Sequence, residues 1–132
     1  MEKEIEFASK IVDLKLALDR CCEGEGKKLG LFLTTHQILF IINKNDQVSP
    51  KEIMEKTGLI KSNLAIITKK MIKDGLIVRS VDPFNRKQIH YSITEEGTRV
   101  VEDKLKQIAN EVENVNDKCM ASFDEILNFL HK

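Results

Sequence analysis

The 132-residue chain has no apolar run near the roughly 20 residues that a membrane-spanning helix requires, and its Glu-rich start has neither the basic region nor the apolar core of a signal peptide. A cytoplasmic address with no membrane partner is therefore expected. Cysteine is scarce and odd in number: three residues, two of them adjacent at Cys21 and Cys22, cannot form a disulfide framework and fit thiols in a reducing compartment. Charge of one sign is lacking too, because 21 basic side chains balance 21 acidic ones, which removes any overall attraction to nucleic acid. No internal repeat or low-complexity segment is present. Nor is there a nucleophile elbow, a glycine-rich phosphate loop or a paired-ligand motif near His36, His90 or His131, so neither an enzyme nor a bound cofactor is expected.

What the average conceals is segregation. Residues 49–93 hold 9 basic and 4 acidic side chains, whereas residues 1–48 hold 7 and 8 and residues 94–132 hold 5 and 9. The middle third is thus cationic between acidic flanks. The length suits one domain per subunit, with too little chain left for a separate catalytic domain.

From Glu2 to Cys22, Phe7, Ile11, Leu14, Leu18 and Cys21 recur at spacings of four and three, with Ile5, Ala8, Val12 and Leu16 widening the stripe, which predicts a helix with a broad apolar face. Glu23 to Gly30, with three glycines, reads as a connection. Thr34 and Gln37 have the form of a capping box ahead of a short buried helix containing Ile38 to Ile42. Ser49, Pro50 and Glu52 form a second start signal, and Gly58 ends that helix after barely two turns. Ser62 and Asn63 then open another helix, expected to carry Leu64, Ile67, Thr68, Met71 and Ile72 inward and to stop at Asp74-Gly75, with Leu76 folding back toward Met71.

Two short helices joined by a tight glycine turn make a helix-turn-helix candidate. The outer side of its second helix carries Ser62, Asn63, Ile66, Lys69, Lys70 and Lys73: an amide able to pair with adenine, a small hydroxyl, an apolar tip for a thymine methyl, and cations for phosphates. Lys61 and Ser49, at the starts of the two helices, join this candidate DNA-binding set. Leu76 to Val81 and Gln88 to Ile93 are rich in β-branched and alternating residues, and the Asp82-Pro-Phe-Asn-Arg-Lys87 segment between them predicts a β-hairpin whose tip presents Arg86 and Lys87. A basic helix followed by a basic hairpin tip provides the two contact points of a bipartite grip on a duplex. Thr94 caps the next helix: Val101, Leu105, Ile108, Val112, Val115 and Cys119, continued by Phe123, Ile126 and Leu130, predict a long apolar-striped helix with a break near Asn114 to Asn116.

On these residues the segment from Thr34 to Gly97 resembles the core of the MarR family of winged helix-turn-helix regulators. Thr34-Thr-His-Gln37 with Ile38-Leu39 is similar to the family's "LT..Q..IL", and Ile53 to Gly58 to its "eLa...g". Lys61-Ser62 with Met71, Asp74 to Ile77 and Arg79 resembles "ks.....L...GlI.R", and Asp82 with Arg86, then Ile93 to Gly97, resembles "D.edR...LTeeG". The pieces stand in the right order over about half the chain. The resemblance implies a mainly α fold with a small β-hairpin wing. Residues 34–93 would form the winged helix-turn-helix DNA-binding core, and residues 1–33 and 94–132 the dimerisation helices. It also implies that Arg86 enters a minor groove, that Arg79 and Asp82 shape the wing, and that Ser62, Asn63 and Ile66 face the major groove. Two positions depart from the pattern: Asn85 replaces a second wing aspartate, and Ile66 stands where a polar or basic residue is frequent.

The expected function is that of a homodimeric, sequence-specific regulator of transcription that binds a pseudo-palindromic operator in double-stranded DNA. Repression is expected, and the resemblance implies that it is adjusted by a small anionic or phenolic effector between the outer helices and the core. The apolar stripes of the first and last helices are too wide for so small a middle region to cover, so a second copy is the simplest way to bury them. The alternatives are a winged helix that binds protein rather than DNA, a zinc-sensing variant with Cys21, Cys22, Glu23, Glu25 and His36 as ligands, and an oxidant-sensing variant with Cys21 or Cys22 as the reactive thiol.

Overall fold

A computed structural model of the chain describes residues 1–21 and 34–130. In chain order the elements are α1 (Glu2–Cys21), α2 (Thr34–Asn43), α3 (Pro50–Thr57), α4 (Lys61–Lys73), β1 (Ile77–Val81), β2 (Ile89–Ile93), α5 (Glu95–Asn110) and α6 (Asp117–Leu130). The expected connection at 23–30 lies outside the described residues, as does Cys22.

The core forms where α2, α3, α4 and the hairpin meet. Ile38, Leu39, Ile42, Val48 and Ile53 are fully buried, joined by Leu64, Met71, Ile77, Tyr91 and, from α5, Val101. Strands β1 and β2 pair antiparallel with Ile77 opposite Ile93, Arg79 opposite Tyr91 and Val81 opposite Ile89. On its other edge Tyr91 exchanges both backbone hydrogen bonds with Val48, at 2.8 and 3.0 Å. That single-residue third strand leads directly into the cap of α3, so the start of the helix-turn-helix is fixed to the sheet.

The local signals account for most boundaries. At α3 the Ser49 hydroxyl accepts from the Glu52 amide, and the Glu52 carboxylate accepts in turn from the Ser49 amide, a complete capping box with Pro50 behind it. Gly58 and Gly75 both have φ of +76°, the left-handed conformation that terminates α3 and turns the chain after α4. After α4 the Leu76 amide reaches the Met71 carbonyl at 3.0 Å and the Gly75 amide reaches that of Ile72 at 3.0 Å, the Schellman pattern expected from the sequence. The break in the last helix is also present: α5 ends at Asn110, α6 begins at Asp117, and Asn114 has φ of +58° between them.

Three expectations need correction. Thr34 lies within α2 instead of preceding it, so it is not the cap of that helix. The cap position of α4 is Ile60, one residue before Lys61, and it makes no side-chain capping bond, so Ser62 and Asn63 belong to the first turn. Ile72 is on the margin of the buried stripe, 37% exposed, while Leu64, Thr68 and Met71 fill the inner face.

Candidate nucleic-acid interface

Helix α4 sits on the core through Leu64, Thr68 and Met71. The Thr68 hydroxyl donates to the Leu64 carbonyl at 2.8 Å, and the Tyr91 hydroxyl reaches Thr68 Oγ1 at 3.4 Å, a buried polar link between the helix and β2. With that side committed to packing, Lys61, Ser62, Asn63, Ile66, Lys69, Lys70 and Lys73 are all exposed, and Ile66 is 70% accessible.

The start of α4 differs from those of α3 and α5, which are capped by Ser49 and Thr94. It has neither a side-chain cap nor an acidic residue in its first turn, and it carries Lys61 there instead. First-turn amides without intrahelical partners and a lysine beside them give this end a positive potential, the arrangement that favours a phosphate oxygen.

Ser49 is brought to the neighbouring helix start, but its hydroxyl accepts from the Glu52 amide and donates to Glu52 Oε1 at 3.2 Å. Its work in this structure is to start α3.

The wing tip is a compact pair of turns. The Asn85 amide donates to the Asp82 carbonyl at 3.3 Å, the Gln88 amide to that of Asn85 at 2.9 Å, and the Asp82 amide closes the neck on the Gln88 carbonyl at 3.0 Å. Side chains reinforce it: Asp82 Oδ1 accepts from the Phe84 amide at 2.8 Å, and Asn85 Oδ1 from that of Lys87 at 3.1 Å. Asp82 therefore holds the turn through its own carboxylate, and Asn85 performs the same kind of turn bond without a charge. Arg86 and Lys87 extend from this frame fully on the exposed side. Arg79 is exposed on β1 opposite Tyr91, away from the turn bonds of the tip.

Behind this surface a cleft of about 470 Å³ opens between α2, the end of α3 and α5, lined by His36, Phe40, Ile41, Lys56, Val101, Lys104, Leu105 and Ile108, among others. Its walls are mostly apolar, with two lysines and a histidine at hand, a composition suited to a small anion with an apolar body. Sequence reasoning placed an effector between core and outer helices without naming these residues. The available signal was weak: Lys56 and Lys104 are merely two lysines on helices until the fold brings them to one cleft.

Of the residues considered for zinc or oxidant sensing, His36 is in the cleft wall, Cys21 is the last residue of α1, and Cys22, Glu23 and Glu25 lie outside the described residues. Among the described residues no group of three or more His, Cys, Asp or Glu side chains could hold a metal ion, and no helix is long and apolar enough to cross a membrane.

The comparisons with known proteins agree with this architecture. Residues 36–112 match the family described as winged helix DNA-binding domain. The HTH-type transcriptional regulator SarZ of Staphylococcus epidermidis is 23% identical over 109 residues, covering 80% of this chain and 74% of that protein. Among solved structures, a C80S mutant of MarR from E. coli complexed with operator DNA superposes with a TM-score of 0.67 at 14% identity, over 98% of this chain and 96% of that one. BpsR of Bordetella bronchiseptica, whose DNA binding is described as regulated by 6-hydroxynicotinic acid, gives a TM-score of 0.67 at 13% identity, over 93% and 91% of the two chains. SarZ is a transcriptional regulator by name, and the fold of the two solved structures is shared along nearly the whole chain. With more than half of its residues matched, the chain belongs to the winged helix DNA-binding domain family.

Proposed function

We propose that this protein is a sequence-specific, double-stranded DNA-binding transcriptional regulator that works as a homodimer on a pseudo-palindromic operator in the cytoplasm. The observation that carries this reading is the outer face of α4: an uncapped, lysine-bearing helix start continuous with Ser62, Asn63, Ile66, Lys69 and Lys70, in a family of DNA-binding domains. Asn63 and Ile66 read base edges in the major groove, the lysines meet phosphates, and Arg86 with Lys87 reaches the adjacent minor groove from the wing. Asp82 supports the wing through its bond to the Phe84 amide. A second copy covers the apolar faces of α1, α5 and α6, which places two reading helices about one helical turn of DNA apart.

Repression follows if the operator overlaps a promoter, and the cleft beside Lys56 and Lys104 is where an anionic or phenolic effector would act. The capacity of BpsR to respond to a small aromatic acid supports that assignment by analogy.

Polarisation titrations with duplexes recovered from genomic fragments test the reading. Sequence-selective binding is expected, with log affinity falling by roughly 0.9 per phosphate contact for each decade of salt. Arg86→Ala should weaken binding by about 1–3 kcal/mol without changing the sedimentation of the free protein. Substituting Asn63 by alanine should relax base preference more than it lowers nonspecific affinity. Absence of duplex binding at low salt would turn the argument toward a winged helix that docks on protein, an option that the zero net charge favours.

A further inference from the structure

Phe84 is the most exposed of the large apolar side chains in the described structure, 97% accessible at the tip of the wing. A hairpin has no need of a phenylalanine there. It packs on nothing, and the rest of its loop is Asp82, Pro83, Asn85, Arg86 and Lys87. The backbone that presents it is held by two successive turns, by the Asp82 carboxylate on the Phe84 amide itself at 2.8 Å, and by the fixed φ of Pro83. An aromatic ring is thus mounted on a braced frame two residues before a pair of cations.

We propose that Phe84 is a wedge: it enters the minor groove beside Arg86 and partly unstacks a flexible base step, so that the wing selects DNA by its deformability. This rests on the DNA-binding reading given above. The surroundings of the ring decide its partner. A protein-docking anchor is normally ringed by a broad apolar surface that excludes water, whereas the tip adds only Pro83 to Phe84, with half-exposed Val81 at the neck, and its other side chains are Asp82, Asn85, Arg86 and Lys87. Duplex DNA offers what such an isolated ring requires, an outer wall of phosphates for Arg86 and Lys87 and an apolar interior of sugars and base faces; inserted phenylalanines, leucines and prolines kink duplexes in this way. Pyrimidine–purine steps open most readily, so specificity would arise at a position that receives no base-edge hydrogen bond.

The test uses the whole chain and a duplex selected from a random-sequence pool, with 2-aminopurine placed in turn at each step across the half-site. Binding is expected to raise the fluorescence at one step beneath each wing. Phe84→Ala should abolish that rise, lower affinity roughly tenfold (about 1.4 kcal/mol) and erase a preference for TA over AA at the step. Phe84→Leu should retain much of all three. Because the residue is exposed, both variants should keep the parent's circular dichroism and melting midpoint. If Phe84→Ala binds the duplex like the parent with the same fluorescence profile, the wedge is wrong while the DNA-binding reading stands. A loss confined to self-association would assign the ring to a contact between copies, and a parent chain that selects no duplex would bring down both proposals.

Discussion

The middle of the molecule and its outer helices use the same kinds of apolar side chain with opposite results. Ile38, Leu39 and Ile42 on α2 are fully buried within one chain. On α1, Ile5 is 63% and Leu16 60% exposed; on α6 no residue is buried, and Phe129 is 56% exposed. The difference lies in neighbours. Residues 34–101 fold short helices and a hairpin around a common centre, whereas among the described residues the outer helices keep much of their apolar stripes exposed. Among the described residues one core is closed within the chain, and the apolar area left exposed on the outer helices is what the proposed second copy would cover.

That contrast can be tested by substitution. Ile38→Ala removes a fully buried side chain from the finished core and should cost about 2–5 kcal/mol in chemical denaturation. The overpacking of Gly97→Ala should cost about 1–3 kcal/mol, because a methyl group there overlaps the Leu76 carbonyl oxygen and crowds the Ile93 side chain. Thr94→Val, which deletes the cap of α5, should cost about 1 kcal/mol, and melting curves would register it. The smallest effect on the stability of the isolated subunit, within about 0.5 kcal/mol, is expected for Phe129→Ser. That same change should move sedimentation toward monomer. Should Phe129→Ser unfold the dilute monomer as severely as Ile38→Ala, the outer helices would have to be part of the finished core after all.

Much of the fold was legible because its signals are local. Ser49 and Glu52 satisfy each other three residues apart, Gly58 and Gly75 supply the left-handed turns, and Thr94 bonds the Gly97 amide at 3.0 Å. Where the outcome depended on distant chain, the sequence was less informative. The inward stripe of α4 predicts Ile72 buried, but the packing available ends at Met71. Thr34 and Gln37 have the spacing of a capping box, yet a spacing alone does not reveal that the helix already includes Thr34. Of the candidate site, the cationic face and wing tip could be placed because each is contiguous in sequence. The cleft could not, since it is assembled from three helices. The isolation of Phe84 emerges only from the fold, although a phenylalanine inside a Pro-Asn-Arg-Lys turn is a legible oddity.

The junction at Thr94 has mechanical significance. Its hydroxyl hydrogen is shared between the Gly75 and Leu76 carbonyls at 2.6 and 2.9 Å, its amide donates to the same Leu76 carbonyl at 3.1 Å, and Gly97 lets the backbones touch there. The end of α4 and the start of α5 therefore share a pivot. With 16 residues, α5 is a lever about 24 Å long, so a tilt of about 5° around that pivot carries its far end about 2 Å. Wherever the far end is clamped, the same small rotation is returned to the helix at the other side of the fulcrum.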